Sequence, residues 1–171
     1  TQVLSSAASD VYKRQGNRSI MFDPRHPNAK NIVNTVKKRE AYRPFACTVM
    51  LEHAEEYFDM LQLPESPWMS FAIQCKPKAL KDIPTLVHAD NTCRIQTVTE
   101  EQNPNYYNLI KGFYERTGVP IIFNTSFNLG GESIVETVYD AIDTCNRSMI
   151  NHLYIPDCLL YTSDAADDNT C

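Results

Sequence analysis

The feature that most constrains the fold is the apolar run Val119–Phe123, which lies between a helix signal and a polar turn. Upstream, Asn103 suits an N-cap, Pro104 suits the first helical position and Gly118 suits the left-handed position that follows a helix. A helix is therefore predicted over residues 104–117. An apolar run without alternating polar residues is typical of a strand that is covered on both faces. Such a strand requires neighbours on each side, which predicts a layered α/β domain.

The rest of the middle of the chain alternates between helix and strand patterns. The predicted apolar face of helix 104–117 consists of Tyr107, Ile110, Phe113 and Tyr114. Further helices are predicted over Asn28–Lys37, over Glu52–Asp59, and from a capping box of Thr137 and Asp140 to about Arg147. Strands are predicted over Phe45–Leu51, Trp68–Cys75, Cys93–Val98 and Asn151–Ile155. This alternation again predicts an α/β fold.

Composition excludes several classes of protein. The formal net charge of −5 argues against binding along a nucleic-acid backbone. The six cysteines form no C-x-x-C pair, and the four histidines are scattered, so no metal site is predicted. Buried free thiols in a reducing cytoplasm are the expected state of the cysteines. No apolar run is long enough for a membrane span and no secretory signal is seen, so we expect a cytoplasmic protein.

The two ends differ from the middle of the chain. Residues 1–15 and 158–171 are rich in small and polar residues and show no sustained periodicity. Both resemble translated sequencing adapter, and the alternative is a pair of ordinary disordered termini. The genuine domain is therefore expected to span residues 16–157 and to be truncated.

A basic segment follows the first predicted helix. Lys37, Arg39 and Arg43 lie within seven residues and precede the stiff pair Pro44-Phe45. A guanidinium binds phosphate through two parallel hydrogen bonds and a lysine ammonium acts as a compact charge, so these residues suit a phosphate clamp. A solvated helix end, favoured by the helix dipole, is the alternative.

A polar, glycine-containing segment, Asn124–Glu132, follows the buried apolar run. Ligands collect beyond the carboxyl ends of strands in open α/β sheets, which makes this segment a candidate site. Ser126 and Asn128 alternate with Phe127, so the two polar side chains are expected to point one way. Gly130 and Gly131 are expected to adopt positive φ and to offer N–H groups to an anion. A turn that caps its own backbone remains the alternative.

Weaker candidates lie elsewhere. Arg18 follows Gly16-Asn17, and Arg94 follows a segment in which His88 and Asp90 suit an acid–base pair or an ordinary strand-end turn. Walker A, G-x-G-x-x-G and G-x-S-x-G motifs are absent from the sequence, which excludes the common kinase, dehydrogenase and hydrolase interpretations.

Taken in order, these strings resemble one family. They are G-N-R-S-I, D-P-R, K-x-R-E-x-Y-R-P-F-A, H-x-D-x-T-x-R-x-Q-T-V and N-T-S-F-N-x-x-G-E. Together they are similar to the C-terminal region of the O-carbamoyltransferases, the nodulation-factor and antibiotic-tailoring enzymes. The resemblance runs from about Gly16 to Asp157. It implies a YrdC-like layered domain with a twisted mixed sheet flanked by helices.

The resemblance also implies a function. The family's domain forms carbamoyl-adenylate from carbamoyl phosphate and ATP, with Mg²⁺ expected alongside the nucleotide. An N-terminal domain with an actin/Hsp70-like ATPase fold and its own metal then transfers the carbamoyl group to a hydroxyl acceptor, and this chain lacks that domain. The implied catalytic residues are Lys37, Arg43 and Ser126. The implied substrate- and nucleotide-binding residues are Arg18, Arg39, His88, Arg94, Thr125 and Asn128.

The sequence also departs from the family pattern. The usual G-P-R-A-L-G before R-S-I is missing, Cys47-Thr48 replaces a Pro-Ser pair, and Ser133 replaces a proline. Two other interpretations stay open. One is a stand-alone threonylcarbamoyl-adenylate synthase of tRNA modification, and the other is an RNA-binding module, which the acidic charge disfavours.

Overall fold

The computed structural model describes residues 16–155 and the backbone of residues 159–162. The segments 1–15, 156–158 and 163–171 lie outside these residues, and so do the predicted domain bounds at residues 157 and 158. The strands are β1 (Ser19–Phe22), β2 (Ala46–Met50), β3 (Ala72–Gln74), β4 (Thr92–Val98), β5 (Ile121–Ser126), β6 (His152–Ile155) and β7 (Leu159–Thr162). The α-helices are α1 (Ala29–Val36), α2 (Ala54–Tyr57), α3 (Pro77–Asp82), α4 (Pro104–Thr117) and α5 (Val138–Asn146). Short 3₁₀ turns occupy Leu51–His53 and Pro84–Leu86.

Five strands form one open mixed sheet in the order β1-β5-β2-β4-β3. Strands β2 and β4 are parallel, whereas the β1–β5, β5–β2 and β4–β3 pairs are antiparallel. Strands β6 and β7 form a separate antiparallel pair. The predicted α/β class, with a mixed sheet flanked by helices, is confirmed.

The two faces of the sheet are covered by different elements. Because side chains alternate along a strand, Cys47, Val49 and Phe123 lie on one face, where they pack against α1, α2 and α3. The opposite face contributes Met50, Val98 and Ile122, which pack against α4. The interior strand β5 is buried from Ile121 to Phe123, as the apolar run predicts, and at Asn124 as well.

The local capping signals are confirmed. The Asn103 side chain accepts a hydrogen bond from the Tyr106 N–H at 3.0 Å, and Gly118 has φ 72°. Thr137 and Asp140 form the predicted capping box at the start of α5, and Arg147 is the C-cap. These interactions span only a few residues, so the sequence is sufficient to identify them.

The apolar face of α4 differs from the prediction. Tyr106 and Ile110 are its buried residues, whereas Tyr107 is only partly buried and bonds Glu52 through its hydroxyl group. Tyr106 is buried because its hydroxyl group donates to Thr48 at 2.8 Å, so burial leaves no unsatisfied polar atom.

Several element boundaries also differ from the prediction. The predicted strand Trp68–Cys75 forms only over Ala72–Gln74, because Met69 has φ 54° and Trp68 is 56% exposed. The predicted helix 52–59 is divided into a 3₁₀ turn and α2, but the inward-facing Ala54, Tyr57 and Phe58 are buried as expected.

Three short elements were not predicted at all: β1, α3 and β7. Each has six residues or fewer, too short for a periodic pattern to stand out. Among the described helices, none has both the length and the apolar character needed to cross a membrane.

Candidate anion-binding site

A polar cleft of about 480 Å³ lies where the end of β5 meets the segment that follows α1. Its lining contains five cations, Lys37, Lys38, Arg39, Arg43 and Arg94, and the single carboxylate Glu40. The remaining lining residues are Met69, Asn124, Thr125, Ser126, Asn128, Leu129, Gly130 and Gly131. This excess of positive charge suits a polyanion.

Sheet topology brings these residues together. Strand β5 is antiparallel to β2, so its carboxyl end lies beside the amino ends of β2 and β4. Ala46 on β2 is paired with both Arg94 on β4 and Asn124 on β5. The site therefore lies beyond the carboxyl end of β5, as predicted, but at the amino ends of the two parallel strands.

Lys37 is the C-cap residue of α1 and is only 2% exposed. Its ammonium group donates to the carbonyl oxygens of Ser126, at 2.5 Å, and Asn128, at 2.8 Å. It also donates to Asn128 Oδ1 at 2.9 Å. A lysine ammonium has three protons, so these contacts engage all of its donors. Lys37 thus fixes the segment 126–128 and adds a positive charge beneath it.

The side chains of Ser126 and Asn128 point the same way, as the alternation predicts. Ser126 Oγ donates to Asn128 Oδ1 at 2.6 Å, and Asn128 Nδ2 donates to the Glu132 carbonyl oxygen at 2.7 Å. Phe127 points the other way and is buried in a separate apolar cluster. Asn124, Thr125 and Ser126 belong to β5, so the strand extends further than predicted.

The two glycines have different roles from those predicted. Gly131 has a positive φ of 82°, but Gly130 does not. The Gly130 N–H donates to the Lys37 carbonyl oxygen at 2.6 Å, so it is not available to an anion in the cleft. A Cβ on Gly130 would lie 2.6 Å from the Lys38 carbonyl oxygen, which leaves room for glycine only.

Arg39 is held in a fixed orientation at the cleft. Its Nε donates to Asn34 Oδ1 at 2.7 Å, and its guanidinium carbon lies 4.0 Å from the centre of the Phe45 ring. Burial, followed by the positive charges of Arg43 and Arg94, lowers the pKa of Arg39 below its ordinary value. The three guanidinium groups line the same cleft, where their like charges repel one another and favour an anion between them.

Arg43 is more exposed than Arg39. Its Nε lies 2.8 Å from Glu40 Oε2, and both side chains are about half exposed. This surface pair contributes little to stability. The Arg43 guanidinium group thus lies at the exposed edge of the cleft.

A buried polar network, which the sequence did not reveal, supports the floor of the cleft. Asn124 Nδ2 donates to Thr48 Oγ1 at 2.9 Å and to Gln96 Oε1 at 3.1 Å. Thr48 Oγ1 donates to Gln96 Oε1 at 2.8 Å and accepts a hydrogen bond from Tyr106. All four side chains are at most 3% exposed. The sequence signal for this network is the presence of Thr48, Gln96 and Asn124 within otherwise apolar strands.

Two sequence-predicted site residues lie outside the cleft. Arg18 lines a second pocket of about 500 Å³ beside β1 and α5. His88 contacts Thr92 Oγ1 at 3.1 Å and the Phe45 carbonyl oxygen at 3.3 Å, while Asp90 accepts from the Thr92 N–H and hydroxyl groups. His88 and Asp90 thus organise the turn before β4, and binding roles for Arg18 and His88 stay predictions.

A family model described as "Carbamoyltransferase C-terminus" matches residues 13–162. The chain belongs to this family. Its motifs K-x-R and T-S-x-N, distant in sequence, meet in the cleft of this carbamoyltransferase C-terminal domain. The predicted family is therefore confirmed.

Individual relatives agree with this family. Nodulation protein NolNO of Sinorhizobium fredii is 40% identical over 90% of this chain and 23% of its own length. Nodulation protein NolO of Bradyrhizobium diazoefficiens is 43% identical over 75% of this chain and 24% of its own. A 3'-hydroxymethylcephem-O-carbamoyltransferase of Amycolatopsis lactamdurans is 28% identical over 82% of this chain. The chain spans about a quarter of the length of these relatives.

The cysteines of this carbamoyltransferase C-terminal domain are buried thiols where the structure describes them. Cys47, Cys75, Cys93 and Cys145 are free, and Cys47 Sγ lies 3.6 Å from Cys93 Sγ. The hydrogen bond between the two thiols raises the pKa of Cys93 well above its ordinary value. A hydrogen bond with Cys93 and burial raise the pKa of the Cys75 thiol, and burial raises the pKa of the Cys145 thiol. Buried thiols of high pKa are poor nucleophiles.

Proposed function

We propose that this domain binds ATP and carbamoyl phosphate and forms carbamoyl-adenylate, which another part of the same enzyme transfers to a hydroxyl acceptor. The supporting observation is the convergence of Lys37, Arg39, Arg43 and Arg94 on Ser126 and Asn128 in one cleft. Two polyanionic substrates repel each other, so an enzyme that joins them requires such a concentration of cations.

The atom balance of the reaction defines what the cleft must hold. Carbamoyl-adenylate contains one phosphate, which comes from the α-position of ATP. Carbamoyl phosphate must therefore lose its phosphate to water and yield carbamate. A carbamate oxygen then attacks the α-phosphorus, and the bond to the β-phosphate breaks to release pyrophosphate. One phosphate and one pyrophosphate leave for each carbamoyl-adenylate formed.

Each residue has a role that fits this sequence of steps. The guanidinium group of Arg39, fixed by Asn34 and Phe45, is oriented for bidentate binding of phosphate oxygens. Arg43 and Arg94 neutralise charge at the edge of the cleft. On substrate binding, the Ser126 hydroxyl group turns its proton from Asn128 Oδ1 to a phosphate or carbamoyl oxygen, and it does so without titrating near neutral pH. Lys37 holds Ser126 and Asn128 in place and lowers the cost of bringing negative charge above them.

The expected Mg²⁺ ion is best explained as part of the nucleotide substrate. The residues that the structure describes contain no group of three or more His, Cys, Asp and Glu side chains suited to a metal. Mg²⁺ commonly binds through substrate phosphates and keeps several waters, so we expect it to enter with the nucleotide phosphates and not to be held by the cationic lining.

The remainder of the enzyme is proposed to complete the reaction. Relatives are about four times as long as the part that this chain matches. We propose that their other segment includes the actin/Hsp70-like ATPase-fold domain, with its metal, and that it receives carbamoyl-adenylate from this domain.

The test measures carbamoyl-phosphate-dependent pyrophosphate release in the intact enzyme that contains this domain. Mass spectrometry of quenched reactions identifies carbamoyl-adenylate. Lys37→Ala and Ser126→Ala should each abolish both signals, whereas Lys111→Ala, on the exposed side of α4, should retain them. Pyrophosphate release that survives the first two substitutions would refute the proposal.

A further inference from the structure

Arg147 lies outside the cleft, at the C-cap of α5, and connects that helix to the polar loop 126–132. Its Nη1 lies 2.7 Å from Glu132 Oε1 and its Nη2 lies 3.4 Å from Glu132 Oε2. Its Nε also donates to Asp143 Oδ2 at 2.7 Å. Arg147 therefore joins a carboxylate on the loop to a carboxylate on the helix.

Hydrogen bonds within the loop connect Glu132 to the residues that line the cleft. The carbonyl oxygen of Glu132 accepts a hydrogen bond from Asn128 Nδ2 at 2.7 Å. On its other side, the Asn128 carboxamide accepts hydrogen bonds from Lys37 Nζ and Ser126 Oγ. The orientation of the carboxamide group thus depends on where the Glu132 backbone lies. Two contacts hold Glu132: its side chain pairs with Arg147, and its N–H donates to the Leu129 carbonyl oxygen at 3.2 Å.

Helix α5 also holds the start of the same loop. Phe127 is buried in a cluster with Ala141 and Cys145 of α5 and with Val135, whose N–H donates to the Phe127 carbonyl oxygen at 3.0 Å. The loop is therefore fixed to α5 by apolar packing near its beginning and by an ion pair at its end. Between these two points lie Asn128 and the close approach of Gly130 to Lys37.

We propose that Arg147 is a positioning residue for the anion cleft, acting through Glu132 on Asn128. This inference rests on the proposed function, because it assumes that Asn128 and Ser126 contact the phosphate groups of the substrates. The two-pronged geometry explains why arginine suits the position: both carboxylate oxygens of Glu132 are engaged, which fixes the carboxylate against rotation.

The experiment uses the 171-residue chain and inorganic pyrophosphate as the probe, with the dissociation constant measured by calorimetry. Arg147→Ala should weaken binding about fivefold. Arg147→Lys, which keeps the charge but loses the fork, should recover only part of this loss. In an Asn128→Ala background, Arg147→Ala should change the dissociation constant less than twofold, because the residue through which it acts is already absent.

Two matched controls separate positioning from bulk charge. Arg116→Ala removes the same charge from an exposed site on α4, and Asp143→Asn removes the charge of the other partner of Arg147 while Glu132 remains paired. Both should leave binding within twofold of the unsubstituted chain. An equal effect of Arg147→Ala and Arg116→Ala, or a full effect of Arg147→Ala in the Asn128→Ala background, would overturn the proposal.

A second measurement does not depend on any ligand. Hydrogen–deuterium exchange of residues 126–132 should be about tenfold faster in Arg147→Ala than in Asp143→Asn. If pyrophosphate fails to bind the unsubstituted chain, the proposed function is wrong, and this exchange rate still decides whether Arg147 orders the loop. Unchanged exchange in Arg147→Ala would show that it does not.

Discussion

Lys37 binds Asn128 through two hydrogen bonds, one to its backbone carbonyl oxygen at 2.8 Å and one to its side-chain Oδ1 at 2.9 Å. The two residues are 91 positions apart in the sequence. In the opposite direction, the Gly130 N–H of the polar loop donates to the Lys37 carbonyl oxygen. The basic segment and the polar loop thus form one structural unit.

Lys37→Ala should lower both stability and anion binding. The substitution removes the lysine donor from the backbone carbonyl oxygens of Ser126 and Asn128, and such a loss costs about 3 kcal/mol of the free energy of unfolding. Urea denaturation measures this change. Lys111→Ala, on an exposed position of α4, should change the free energy by less than about 0.5 kcal/mol. Equal effects of the two substitutions would contradict the role of Lys37.

Arg39→Lys should weaken pyrophosphate binding by about tenfold, since lysine keeps the charge but loses the planar fork and the stacking on Phe45. Calorimetric titration measures the dissociation constant. Arg43→Lys serves as the matched control. The Arg43 side chain is half exposed, and its ion pair is with the equally exposed Glu40. A larger effect at Arg43 than at Arg39 would show that orientation by Phe45 is unimportant.

Gly130→Ala should displace the loop, because the new Cβ would lie 2.6 Å from the Lys38 carbonyl oxygen. We expect a loss of about 1–3 kcal/mol in the free energy of unfolding and weaker pyrophosphate binding. Gly112→Ala is the control: it lies inside α4 with open space around it, and should stabilise the chain by about 0.5–1 kcal/mol. A neutral Gly130→Ala variant would argue against the close approach.

Acid pH should weaken the attachment of loop 126–132 to α5. The hydrogen bond and charge of Arg147 lower the pKa of Glu132 below its ordinary value of 4.5. Since the pKa is lower in the folded state, this stabilisation is complete above pH 4.5 and is lost as the pH falls through the folded pKa. Unfolding measured between pH 7 and pH 3 should therefore show a shallower acid decline in Glu132→Gln. Identical declines would exclude the contribution of this carboxylate.

Tyr106→Phe should destabilise the domain by about 1–2 kcal/mol, because it removes a buried hydrogen bond to Thr48 in the network beneath the cleft. Tyr107→Phe removes a partly exposed hydrogen bond to Glu52 and should cost less. Thermal denaturation of the two variants compares these effects. The reverse order would show that the buried network does not support the sheet as described.

Local features of the fold could be predicted from the sequence because their physical causes are local. Asn103 and Gly118 delimit α4, and Thr137 and Asp140 begin α5, through contacts between residues a few positions apart. The failures had non-local causes. Tyr106 is buried because Thr48, on a distant strand, satisfies its hydroxyl group, and the loop containing Trp68 leaves the sheet although its composition suits a strand.

The sequence by itself determined the family, the apolar interior strand β5 and the alternation of Ser126, Phe127 and Asn128, since order along the chain and side-chain period are properties of sequence. Only the tertiary structure decided which cations share a cleft. The antiparallel pairing of β5 with β2 brings Asn124 beside Ala46 and Arg94, while Arg18 lies at a different pocket. Strand direction depends on contacts between distant segments, and no local pattern in the sequence specifies it.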